Sequence, residues 1–152
     1  MAADALSIAE SAEDPGGADA LALVAALSAA LTAITGAGGQ ASFDVSDVRG
    51  PRACFALARA LGCGALRPID ADVAEIKRMF ARPGTRGVGS AVLRHLEAEA
   101  ARWGYAALRL STRLANARAV AFYERHGYRR IPGYGRYAGS DVSVCFEKVL
   151  RE

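Results

Sequence analysis

The sequence has few of the residues that build metal centres and disulfide frameworks. Its 152 residues include two histidines and three cysteines, and Cys54, Cys63 and Cys145 form no CxxC pair. Each cysteine lies in an apolar stretch typical of a strand, which favours buried free thiols in a reducing compartment. We therefore predict free cysteines and no bound metal.

Long apolar runs are also lacking. The most apolar stretch, residues 21–34, is shorter than the roughly 20 residues that a membrane-spanning helix needs. The N-terminal segment is acidic, whereas a secretory signal begins with basic residues. These absences predict a cytoplasmic protein that does not associate with a membrane.

No large excess of charge of either sign is present. The 19 basic and 16 acidic residues give a net charge of +3, with the basic residues spread through the C-terminal half. This distribution suits an anionic ligand but does not predict a nucleic-acid partner. A hydrophobic content of 52% over this length predicts one globular domain, residues 6–152, after a flexible tail, residues 1–5.

What the sequence does contain is a strand, a glycine-rich turn and a helix in succession, from Glu75 to Trp103. Apolar residues at Ile76, Met79 and Phe80 predict a buried strand that ends before Pro83. The turn contains Gly84, Gly87 and Gly89. Apolar residues then recur at helical spacing, at Val88, Val92, Leu96, Ala100 and Trp103.

This turn predicts an anion site, because a helix N-terminus presents unpaired N–H groups and glycines let the backbone approach a phosphate. Arg82 and Arg86 add positive charge. A nucleotide P-loop would have lysine where Ser90 stands, and a dinucleotide fingerprint would have a small residue where Val92 stands. The pyrophosphate of another cofactor remains, as does a glycine-rich connection that binds nothing.

Two blocks of the sequence resemble the GNAT superfamily of acetyl-CoA-dependent N-acetyltransferases. The family's phosphate turn, Gln/Arg-x-x-Gly-x-Gly/Ala, matches residues 84–89, although Gly84 replaces the usual Gln or Arg. The second block contains Asn116, Ala119, Tyr123, Gly127 and Tyr128. The resemblance extends over roughly residues 6–148 and implies an α/β (α+β) fold with a mixed, mostly antiparallel sheet of about seven strands flanked by helices.

The resemblance also implies acetyl-CoA as co-substrate, no metal, and a small amine, amino acid or peptide as acceptor, in a monomer or homodimer. The residues implied in cofactor binding are Met79, Phe80, Ala81, Arg86, Gly87, Val88, Gly89, Ser90, Asn116 and Tyr123. For Asn116 the alternative is a helix N-cap. A non-catalytic acyl-CoA-binding module is the alternative for the whole chain.

Two residues are implied in catalysis. Tyr123 matches the family's general acid, which protonates the coenzyme A thiolate; a core tyrosine is the alternative. Glu75 lies in an Ala-Glu-Ile context like that of the catalytic glutamate in some members, and water is the other candidate base. An ion pair of Glu75 with Lys77 or Arg78 is the structural alternative.

The acceptor site is predicted from a late loop. Tyr134, Tyr137 and Asp141 could shape a pocket for a cationic amine through aromatic faces and a carboxylate.

Overall fold

The computed structural model describes residues 8–9, 22–29, 48, 50–58 and 61–151. The predicted tail, residues 1–5, lies outside this part of the chain. Residues 22–29 are helical and are called α1 here. The remaining elements in chain order are β1 (Ile8–Ala9), β2 (Cys54–Ala58), β3 (Gly62–Pro68), β4 (Val73–Ala81), α2 (Val88–Arg102), β5 (Ala107–Arg113), α3 (Ala117–Arg125), β6 (Arg129–Ile131), a 3-10 turn (Gly135–Tyr137) and β7 (Ser143–Val149).

The strands form one mixed sheet in the order β1-β2-β3-β4-β5-β7-β6. All neighbouring strands pair antiparallel except β4 and β5, which are parallel and are joined through α2. A parallel pair requires such a crossover, whereas the antiparallel β2–β3 pair needs only a short turn. The predicted fold class and strand number are confirmed.

One face of the sheet carries the main hydrophobic core. Because side chains alternate along a strand, Ala74 and Ile76 of β4 share this face with Leu108 of β5 and Phe146 of β7. The apolar stripe of α2 covers it with Val88, Val92, Leu93, Leu96 and Ala100. The sequence periodicity therefore predicted this packing correctly.

The opposite face is divided between apolar and charged residues. Over β2 and β3 it is apolar, and Leu23 of α1 packs there against Phe55, Leu57 and Cys63. Burial raises the pKa of the Cys63 thiol to about 12, so this cysteine stays neutral. All three cysteines are buried and unbridged, as predicted. From β4 onward this face is charged.

A bulge interrupts β4 after Lys77. Cys63 and Ala65 of β3 pair with Phe80 and Lys77, so β4 contains one more residue than β3 across this interval. Arg78 has a φ of 56°, in the left-handed region that non-glycine residues rarely adopt. The bulge changes which face the residues after Lys77 present.

Gly62 allows β3, β4 and α2 to approach closely, and we expect Gly62→Ala to destabilise the fold. An added Cβ would lie 2.7 Å from the carbonyl oxygen of Phe80, a backbone atom that cannot move aside cheaply. We expect a loss of about 1–3 kcal/mol in unfolding free energy, measured by urea denaturation. Gly50→Ala is the control, since its Cβ would meet nothing within 4 Å. Equal stability of the two variants would contradict this packing.

Candidate active site

The central geometric feature is the separation of β4 from β5. Their parallel pairing comprises Val73 with Ala107, Ala74 with Leu108 and Glu75 with Arg109, and it stops there within these fully described strands. β4 nevertheless continues to Ala81 and β5 to Arg113. The backbone of residues 76–81 therefore has a strand neighbour on the β3 side only. The structure thus forms a cleft between two diverging strands, with Glu75 at its closed end.

The far end of β4 leads to the N-terminus of α2. Gly87 is the N-cap with a φ of 73°, which requires glycine, and it offers no side chain to cap the helix. The first intrahelical bond runs from the Ala91 N–H to the Gly87 carbonyl, 2.9 Å. The N–H groups of Val88, Gly89 and Ser90 precede it and point out of the helix end, where an anion is favoured. Because the Val88 side chain is buried, only its backbone could contact a ligand.

Helix α3 packs against this helix end. The Phe122 ring lies 3.5 Å from the point where a Cβ on Gly89 would be. The Ser90 hydroxyl and Nε2 of His126 are 3.0 Å apart, and Nδ1 of His126 lies 2.8 Å from the Phe122 carbonyl. Since a carbonyl only accepts, Nδ1–H donates to it, and a neutral imidazole then accepts from Ser90 at Nε2. No local sequence pattern predicts this contact, because residues 90 and 126 are distant in the chain.

Asn116 and Tyr123 take up their positions through the caps of α3. The Asn116 side chain accepts from the Ala119 N–H at 3.3 Å, so its predicted alternative as an N-cap is confirmed. At the other end, the Tyr128 N–H donates to the Tyr123 carbonyl at 3.0 Å. Gly127 there has a φ of 87°, which gives the geometry of a Schellman cap.

Tyr123 lies almost wholly in the core. Its ring contacts Phe122, Tyr128 and Phe146. Burial raises the pKa of its hydroxyl, so the phenol is protonated near neutral pH. Its hydroxyl has no hydrogen-bond partner among the described residues. The protonated hydroxyl therefore lies in a largely apolar setting.

Glu75 is 3% exposed and both its oxygens are hydrogen-bonded. Oε1 accepts from Arg67 Nη2 at 2.8 Å and from Nε at 2.9 Å, and Oε2 accepts from the Tyr134 hydroxyl at 2.6 Å. The predicted alternative partners, Lys77 and Arg78, were therefore wrong. Arg67 lies on β3, directly opposite Glu75 and on the same face of the sheet. Lys77, by contrast, lies two residues after Glu75 on β4.

Glu75 belongs to a row of alternating charges that crosses five strands on one face. Residues directly opposite one another in the sheet form this row, from β3 to β6: Arg67, Glu75, Arg109, Glu147 and Arg129. Arg109 Nε donates to Glu147 Oε2 at 2.8 Å. Opposite charges at directly opposed positions are favourable cross-strand pairs.

Two of the three residues predicted to bind the acceptor lie over this row. The Tyr134 and Tyr137 rings contact edge to face at 5.6 Å, and the Arg109 guanidinium lies 5.8 Å from the Tyr134 ring. Burial and the neighbouring Glu75 carboxylate raise the pKa of Tyr134. The Tyr137 hydroxyl accepts from Lys77 Nζ at 2.8 Å. Asp141 is exposed and takes part in none of these contacts.

The described part of the chain contains neither a cluster of potential metal ligands nor a helix that could span a membrane. Its histidine, cysteine and acidic side chains include no group of three or more that could hold a metal ion. None of its helices has both the length and the apolar character to cross a membrane.

The sequence matches the model of a known protein family. The model of the acetyltransferase (GNAT) family matches residues 40–128, more than half of the chain. This chain belongs to the GNAT acetyltransferase family. Members bind acetyl-CoA and an acceptor substrate, so acyl-CoA-dependent acetyl transfer is the expected activity of the fold.

Several GNAT relatives support the assignment over most of the chain. An IAA acetyltransferase of Azospirillum brasilense is 34% identical over 115 residues, which cover 70% of this chain and 74% of that protein. A protein assigned as an acyl-CoA N-acyltransferase from Klebsiella pneumoniae is 28% identical with a TM-score of 0.80, covering 96% of this chain and 98% of its own. A GNAT acetyltransferase of Elizabethkingia anophelis with acetyl-CoA bound shares the fold at 15% identity and a TM-score of 0.67, covering 96% and 99%.

Two of the three arginines of the charge row, Arg67 and Arg109, should differ in their effect on stability. Arg67→Met leaves the buried Glu75 carboxylate without its cation, and we expect a loss of about 3 kcal/mol in unfolding free energy. Arg109→Met removes a partner of Glu147, which is 25% exposed, and should cost about 1 kcal/mol or less. Urea denaturation of both variants tests the order. A larger loss for Arg109→Met would show that Glu75 does not depend on Arg67.

Proposed function

We propose that this GNAT protein transfers the acetyl group of acetyl-CoA to the primary amine of a small molecule, amino acid or peptide. The observation that carries the proposal is the course of β4. This single strand leads from a buried carboxylate, Glu75, along a cleft to an uncapped helix N-terminus at Gly87. A thioester at the closed end and a pyrophosphate at the helix end would both find suitable groups.

The cofactor would be held mainly by backbone groups. The N–H groups of residues 87–90 suit the pyrophosphate, and Arg86, which is exposed beside them, adds positive charge. The unpaired edge of β4 at residues 79–81 suits the amide groups of the pantetheine arm. Gly84 does not supply the side chain that the family has there, but the backbone cradle does not depend on it.

In the proposed reaction the amine nitrogen attacks the thioester carbonyl, an amide bond forms and the carbon–sulfur bond breaks. Tyr123 donates the proton that the leaving sulfur takes up. Burial raises the pKa of Tyr123, but it also disfavours the thiolate, so the two groups remain matched for proton transfer. Transfer to an amine needs no covalent enzyme intermediate, so the proposal requires no nucleophilic residue.

Glu75, or a water beside it, would accept the amine proton. Its carboxylate has about four lone-pair positions, and Arg67 and Tyr134 occupy three of them. One position therefore remains for an acceptor amine or for a water. Glu75 lies where the two strands part, and this favours a role at the reacting end of the cleft.

A non-catalytic acyl-CoA-binding module is the second candidate, and turnover distinguishes the two. Thiol release from acetyl-CoA across a panel of amines, amino acids and short peptides would support catalysis. Tight calorimetric binding of acetyl-CoA with no thiol release from any acceptor would instead favour the binding module.

Tyr123→Phe should lower turnover by roughly 10²–10⁴-fold, the usual size of a general-acid contribution, while acetyl-CoA affinity changes little. Tyr128→Phe is the matched control. It removes a hydroxyl from the same aromatic cluster, and this hydroxyl donates to Glu97 at 2.8 Å. Its turnover should stay near that of the unmodified protein. Full activity in Tyr123→Phe, with chemistry shown to limit the rate, would assign Tyr123 to the core alone.

Glu75→Gln should lower turnover without weakening acetyl-CoA binding, because the amide keeps the shape but accepts no proton. We expect roughly 10²-fold or more, measured as thiol release per folded molecule, with melting temperature determined on the same sample. Glu147→Gln, the other carboxylate of the charge row, is the control. A loss of melting temperature with turnover intact would mean that Glu75 is structural and that water takes the proton.

A further inference from the structure

One buried cation beside Glu75 has no counter-charge among the described residues. Lys77 lies two residues after Glu75 on β4, on the same face of the sheet, and is only 8% exposed. Its ammonium donates to the Tyr137 hydroxyl at 2.8 Å and lies 5.5 Å from the ring centre. No carboxylate of the described residues pairs with it, and it has no further partner.

The surroundings of Lys77 explain why no anion of the described residues pairs with it. Its opposite residue on β3 is Ala65, part of the second apolar cluster, whereas Glu75 has Arg67 opposite. On the β5 side the strands have already parted. An ammonium has three N–H donors and Tyr137 accepts one of them, so a buried ammonium here is favoured only when an anion joins it.

The charges around Lys77 also favour an anion. The charge row contributes three arginines and two carboxylates, and Lys77 adds a further cation. Tyr137 is half-buried and forms part of the late loop over Glu75, so a ligand that reaches Glu75 passes beside the ammonium.

We propose that Lys77 and Tyr137 form a subsite for a carboxylate of the acceptor, which makes the acceptor a free amino acid. This inference rests on the proposed function. Residues two apart on a strand are separated by about 6.5–7 Å, so one small zwitterion can place its amine at Glu75 and its carboxylate at Lys77. A simple amine or an internal peptide segment lacks the second group.

Thiol release from acetyl-CoA tests the subsite with the twenty amino acids and their matching amides. We expect kcat/KM to be at least about 30-fold greater for the preferred acid than for its amide, the size of one desolvated charge contact. Lys77→Met should abolish this preference, while Lys148→Met, which removes a lysine paired with Glu97 on the other face, should keep it. Equal rates with acid and amide, or a preference that survives in Lys77→Met, would overturn the proposal.

The source of the carboxylate is tested separately. Succinyl-CoA carries a carboxylate on the acyl group, so it is compared with acetyl-CoA using the amino-acid amides. A Lys77-dependent preference for succinyl-CoA, with no preference among acceptors, would place the anion on the acyl chain and overturn the proposal as stated. Equal rates with succinyl-CoA and acetyl-CoA would support a carboxylate on the acceptor.

A thermal melting experiment tests the subsite even if the protein shows no turnover. N-acetyl amino acids covering the twenty side chains, and their amides, are added to the protein with coenzyme A. At least one acid, but not its amide, should raise the melting temperature, and Lys77→Met should not respond. No shift by any acid, or equal shifts by acid and amide, would overturn the subsite. If no acceptor gives thiol release but one acid raises the melting temperature and its amide does not, the proposed catalysis is rejected and the subsite remains supported.

Discussion

The separation of β4 from β5 after Glu75 is the constraint on which the site depends. Three register pairs hold the strands together, and beyond them β4 keeps only its β3 neighbour. The backbone N–H and C=O groups at a strand edge inside a sheet must form hydrogen bonds with something other than a neighbouring strand. We propose that acyl-CoA is this partner, in which case the missing strand pairing leaves backbone groups of β4 available to the substrate.

The side chains on the two faces of β4 have different roles. Ala74 and Ile76 bind the strand to the hydrophobic core beneath α2, and Glu75 and Lys77 present charge to the other side. Alternation along one strand therefore anchors the site and supplies its polar groups. The bulge at Arg78 then changes the register, and the strand continues toward the N-terminus of α2.

Helix α3 packs against the end of the cleft that the N-terminus of α2 forms. Its Phe122 contacts Gly89, its C-cap His126 bonds Ser90, and Tyr123 lies between them in the core. The proposed cofactor cradle and the proposed general acid are therefore parts of one packed unit. A displacement of α3 would alter both.

The sequence by itself determined the elements whose signals are local. Glycines 84, 87 and 89 and the apolar stripe of α2 predicted a turn and a helix, because backbone conformation and helical period are read from neighbouring residues. The N-cap alternative for Asn116 was predictable for the same reason, and two spaced blocks predicted the family. The roles of Tyr123 and Glu75 stay predictions.

Only the tertiary structure decided which side chains meet across strands. Alternation predicts the face of a residue but not its neighbour, since the neighbour depends on register. Hence Arg67, and not Lys77 or Arg78, pairs with Glu75. For the same reason Ser90 meets His126, and Lys77 lacks a counter-charge among the described residues. These contacts join residues distant in the chain, and no local pattern encodes them.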